Sequence, residues 1–116
     1  MSVALDVPWA VTPEKVAAVV RRLVQAARPR KLILFGSYVR GETGRDSDLD
    51  VLVITGDEAV NPRAESIRLR DCLEDIDMPM DILVVSEKRF TELRHTRGLI
   101  YREAAEHGCV AYEQPA

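Results

Sequence analysis

Lys31-Leu32-Ile33-Leu34-Phe35-Gly36-Ser37 and, after ten intervening residues, Asp48-Leu49-Asp50-Val51-Leu52-Val53-Ile54 decide the reading of this chain. Each contains a short apolar run of residues suited to strands. The first stops at a Gly-Ser turn and the second starts with acids. Continuous apolar runs of this length predict buried strands, the first central in its sheet, and Gly56-Asp57 marks the end of the second.

Upstream, Thr12-Pro13-Glu14 supplies an N-cap, a first-turn proline and an early acid. Val16, Val19, Val20, Leu23, Val24 and Ala27 then lay one apolar stripe along a helix that Arg28-Pro29-Arg30 ends. Downstream, Asn61-Pro62 repeats the cap and proline, and Ile67, Leu69, Cys72, Leu73 and Ile76 predict a helix to about Asp77. Asp81-Ile82-Leu83-Val84-Val85 reads as a third strand. Ser86 caps a short helix containing Phe90 and Leu93, and a last helix spans Leu99 to His107. Gly108 ends that helix and leaves Cys109-Val110-Ala111-Tyr112 as a short edge strand. The order α-β-β-α-β-α-α-β predicts an α/β fold with a mixed, partly parallel sheet covered by helices. The length of 116 residues suits one domain, residues 1–116, with a loosely held N-terminal arm (1–11) and a frayed tail (114–116).

Composition excludes several classes. A net charge of −3 argues against a binder of long nucleic acid, which needs basic surface to displace counterions. No apolar run is long enough to span a membrane and no signal-peptide pattern opens the chain, so a cytoplasmic location is expected. Cys72 and Cys109 have no zinc-site spacing and read as reduced, buried side chains.

The chemistry is concentrated in three acids that begin two strands. Asp48 and Asp50, at i and i+2, point to one face, and Asp81 can join them from another strand. Converging carboxylates repel one another unless cations sit among them. Hard oxygen donors suit magnesium, with manganese as the alternative. Two such ions about 3.5–4 Å apart can stabilise the attacking and leaving oxygens of an in-line phosphoryl displacement. Gly36 lets backbone approach phosphates, Ser37 offers a hydroxyl and an amide, and a helical turn starting at Ser37 adds further amides. Arg40, one turn beyond Ser37, is the better candidate to meet phosphate charge, with Arg45 behind it.

The stretch from Leu34 through Gly36-Ser37-Tyr38-Val39-Arg40-Gly41-Glu42, followed by Ser47-Asp48-Leu49-Asp50-Val51-Leu52-Val53, resembles the minimal nucleotidyltransferases of the MNT antitoxin family, within the DNA polymerase beta superfamily. Met80-Asp81-Ile82-Leu83-Val84-Val85 is similar to the strand carrying the family's third acid, and Gly108 to Glu113 to its terminal strand. Tyr38 departs from the arginine many relatives carry there. Four fixed residues, Gly-Ser-x10-Asp-x-Asp, arise by chance in roughly one chain of this length per thousand, so the motif is specific. The resemblance implies a palm-like nucleotidyltransferase fold. It also implies that Gly36 and Ser37 hold the triphosphate of ATP, that Asp48 and Asp50 bind two magnesium ions, and that Asp81 completes the site and helps activate the acceptor hydroxyl. Relatives of this size lack the domain with which larger ones choose an acceptor. Their partner is a HEPN-domain toxin RNase, which they adenylylate on tyrosine and thereby neutralise.

The expected protein is therefore a metal-dependent adenylyltransferase and antitoxin of a toxin-antitoxin pair. Its rivals are a non-catalytic antitoxin that acts by binding and a nucleotidyltransferase acting on a small-molecule hydroxyl. His95 and His107 match no ligand pattern and read as solvent-facing or helix-ending. Arg21-Arg22, Arg28-Pro29-Arg30 and Arg68-x-Arg70 read as solvated surface, and Trp9 as either a core contact or an interface anchor. Oligomerisation, with itself or with a partner, stays open.

Overall fold

The computed structural model describes residues 9–41, 48–56 and 61–115. Arg45, Asp57, residues 1–8 of the N-terminal arm and Ala116 lie outside the described residues. The elements are α1 (Pro13–Ala27), β1 (Lys31–Phe35), β2 (Leu49–Thr55), α2 (Pro62–Asp71), β3 (Met80–Ser86), α3 (Glu87–Leu93), α4 (Ile100–His107) and β4 (Cys109–Glu113), in the predicted order.

Local signals fix the helix ends. The Thr12 hydroxyl accepts from the Lys15 amide at 3.2 Å, and at the other end of α1 Arg28, in the left-handed region, donates to Val24 O at 3.1 Å. Asn61 Oδ1 accepts from Arg63 N and Ala64 N at 3.1 Å, and Ser86 Oγ from Arg89 N at 3.1 Å.

The strands form one four-stranded sheet in the order β3-β2-β1-β4. β1 runs antiparallel to both β2 and β4, whereas β2 and β3 are parallel and joined through α2. β1, β2 and β3 divide their side chains between two cores, whereas β4 adds Ala111 and Tyr112 to the first alone. Leu32, Leu34, Val51, Val53 and Ile82 meet Val19 and Leu23 of α1 and Leu69 of α2. Ile33, Phe35, Leu52, Ile54 and Val85 meet Phe90 of α3 and Ala104 of α4. Burial on both faces is why β1 and β2 read as unbroken apolar runs. The mixed sheet and its helical covers make the α/β architecture expected from the sequence.

Several boundaries differ from the sequence reading. α2 ends at Asp71 rather than near Asp77, because the backbone tightens into i→i+3 bonds, Leu73 N to Arg70 O at 3.0 Å and Ile76 N to Leu73 O at 2.9 Å. The tighter winding keeps Leu73 in the core and leaves Cys72 exposed. Cys109 is exposed as well, since it opens a strand that is at the edge of the sheet among the described residues. The arm is anchored at its inner end: Ala10 and Val11 are buried, and Lys15 Nζ donates to Ala10 O at 3.0 Å and Asp77 O at 2.6 Å. Trp9 is 42% exposed. Gln114 of the tail is also tied, its amide donating to Arg30 O at 2.8 Å. Gly108 follows α4 so closely over β1 that an added Cβ would overlap Ala104 O and Ile33 Cγ2. No described helix is long and apolar enough to cross a membrane.

Candidate active site

Asp50 and Asp81 are register partners on the parallel strands β2 and β3, so their side chains leave the sheet on the same side. Asp50 alternates with Leu52 and Ile54, which places it at the end of the face covered by α3 and α4. Asp48 immediately precedes β2 and shares that side by period. The sequence expectation that three acids begin two strands is met in position.

The Gly36-Ser37 turn is stitched to the head of β2. Asp48 N donates to Ser37 Oγ at 2.8 Å, Ser37 Oγ donates to Asp48 O at 3.4 Å, and Tyr38 N donates to the same carbonyl at 3.1 Å. Ser37 thus has a structural role that its motif alone did not disclose. Gly36 has φ +97°, and a Cβ there would run into Asp50 Oδ2. Glycine at this position therefore makes room for the carboxylate of Asp50 as well as permitting the turn. Arg40 N donates to Gly36 O at 3.1 Å, closing a single helical turn rather than starting a helix.

Among the described residues Asp50 is the most strongly perturbed group. Burial, then the charge of Asp81, the charge of Asp48, a hydrogen bond with Asp81 and the charge of Glu103 push its pKa up from 3.8 to about 6. Every one of these influences disfavours the ionised carboxylate. A divalent cation would reverse that balance, so the donor set fits one chemically. The acids do not already enclose an ion: among the described residues no group of three or more His, Cys, Asp or Glu stands ready to hold one. Magnesium retains waters and takes phosphate oxygens as ligands, and so needs no such preformed cage.

Two residues of this neighbourhood carried no motif. Glu103 comes in on α4, where its Oε2 accepts from Arg40 Nη1 at 2.9 Å. Both border an open cleft of about 440 Å³ that Leu99, Arg102, Glu106 and His107 also line. Arg40, expected to meet phosphate, is thus held against α4 at the margin of the acids. Arg70, expected as solvated surface, has Nη1 3.9 Å from Asp81 Oδ1. Only the packing of α4 and α2 on the sheet brings these groups in, and their sequence spacing holds no signal of it. His95 and His107 are exposed, as expected.

A sequence model described as nucleotidyltransferase domain matches residues 14–108, a span that includes the turn and all three acids. The chain belongs to the nucleotidyltransferase domain family. Its reaction is accordingly nucleotidyl transfer, with a nucleotide as substrate, and relatives in this family generally employ divalent metal ions. Among solved structures, this nucleotidyltransferase is similar to a Sulfolobus solfataricus protein described as a nucleotidyltransferase. The two share 15% identity over 90% of this chain and 91% of the other, with a TM-score of 0.49. No curated protein matches the chain.

Proposed function

We propose that this nucleotidyltransferase transfers AMP from ATP to a protein hydroxyl, a tyrosine of a cognate HEPN-domain toxin, and so acts as a cytoplasmic antitoxin. The observation that carries the reading is the crowding of Asp50 by Asp81 and Asp48 beside a glycine that leaves room for its carboxylate. Such an arrangement costs folding energy in the absence of a cation and gains its purpose when one binds. The antitoxin role and the acceptor are supported by the likeness of the stretches around Gly36-Ser37, Asp48-x-Asp50 and Asp81 to the MNT family.

Residues 1–116 act as one catalytic domain in this reading. Asp48, Asp50 and Asp81 would hold two magnesium or manganese ions, which supply charge stabilisation at the phosphoryl oxygens. The amides of the Gly36-Ser37 turn bind the triphosphate. Arg40 exchanges Glu103 for phosphate. The acceptor oxygen bonds to the α-phosphorus, its proton passes to the carboxylate of Asp81, and the bond from that phosphorus to the bridging oxygen breaks, releasing pyrophosphate.

The test is neutralisation of the partner in cells by wild type and by Asp48→Asn/Asp50→Asn, with soluble amounts of each chain matched. Loss of protection in the variant is expected. Protection that survives the double change would mean that the partner is silenced by binding.

A further inference from the structure

We propose that Arg70 is the positioning residue for Asp81, an inference that rests on the reading of Asp81 as a site acid. Among the described residues β3 is an edge strand with no strand on its outer side, and the side chain of Asp81 is 74% exposed. A short carboxylate in that setting, repelled by Asp50 and Asp48, has solvent-directed rotamers open to it, and its desertion would leave the site one acid short.

Two side chains one turn apart on α2 take the place of the missing strand. Ser66 Oγ donates to Ile82 O at 2.5 Å, and Arg70 Nη1 donates to Met80 O at 2.6 Å. Ser66 fixes the edge beyond Asp81 and Arg70 fixes it just before. The same Arg70 nitrogen stands 3.9 Å from Asp81 Oδ1, while Asp50, the register partner of Asp81 on β2, lies on the inner flank. The carboxylate thus lies between a guanidinium that attracts it and an acid that repels it. One side chain sets both the backbone before Asp81 and the direction of its carboxylate, whereas Ser66 touches backbone alone.

The pair of contacts supplies its own control. Three-bond Hα–Hβ couplings of Asp81 are measured in the metal-free protein. In parallel, kcat and KM for ATP are measured for AMP transfer onto the captured native partner, using wild type, Arg70→Met, Arg70→Lys and Ser66→Ala. Wild type shows one fixed rotamer. In Arg70→Met the couplings average, kcat falls about tenfold and KM stays within about twofold, as expected when a group used in the reaction is misplaced. Arg70→Lys recovers part of both losses, and Ser66→Ala changes neither. Unchanged couplings in Arg70→Met overturn the inference, as does averaging without a fall in kcat, or an equal fall in Ser66→Ala. Should wild type transfer nothing, the reading of the reaction fails, and the couplings alone then decide the role of Arg70.

Discussion

Replacing Asp50 by asparagine removes a charge that its surroundings oppose, and so raises the stability of the metal-free protein while abolishing transfer. The pKa of Asp50 is raised from 3.8 to about 6, so between those values the folded chain binds more protons than the unfolded one. The stability linked to this group is fully present below 3.8 and is lost as pH rises through about 6. At 1.36 kcal/mol per pH unit, that interval corresponds to about 3 kcal/mol. Water reaching the half-buried carboxyl reduces this to about 1–2 kcal/mol. For a chain of this size, the midpoint of thermal unfolding should rise by about 3–8 °C. Asp50→Asn and wild type are compared by thermal melts in EDTA at pH 7.5 and again near pH 4. The variant should melt higher at pH 7.5 and level with wild type near pH 4, and magnesium should raise only the wild-type midpoint. A variant that melts lower at pH 7.5, or one whose gain is the same at both pH values, would refute the reasoning.

Gly36→Ala places a methyl group against Asp50 Oδ2 at φ +97°. It should cost about 1–3 kcal/mol in urea unfolding and depress transfer at the same time. Ser37→Ala breaks both bonds of the Ser37 hydroxyl to Asp48, leaving that of the Tyr38 amide, and should cost about 1–2 kcal/mol by the same assay, with weaker ATP binding by calorimetry. Arg40→Gln loses a surface pair with Glu103 and should change stability by less than about 1 kcal/mol. A rise in KM for ATP in steady-state transfer would accompany it.

The sheet was legible because β1 and β2 are apolar on both faces, so neither could be mistaken for a half-solvated strand. Helix starts were legible through local chemistry: Thr12, Asn61 and Ser86 each cap the helix they precede. The positions of Asp48, Asp50 and Asp81 followed from strand periodicity alone. Where α2 stops was not legible, since a switch to tighter turns keeps Leu73 and Ile76 against the core with the same apolar spacing a helix would show. Burial of Cys72 and Cys109 failed for a related reason: exposure depends on a helix end and a sheet edge that only the assembled fold defines. Glu103 and Arg70 were missed because helix packing and not a motif brings them to the acids, Glu103 from far along the chain and Arg70 from the helix just before β3. Ala10 and Val11 were taken for a loose arm because two residues carry no periodicity.

The most direct test of the central claim is the mass of the native partner. It is captured on tagged wild type and on the Asp48→Asn/Asp50→Asn variant, incubated with magnesium and ATP, and weighed intact by mass spectrometry. Increments of whole AMP units with wild type alone are predicted. An unmodified partner, bound equally by both chains, would contradict the account.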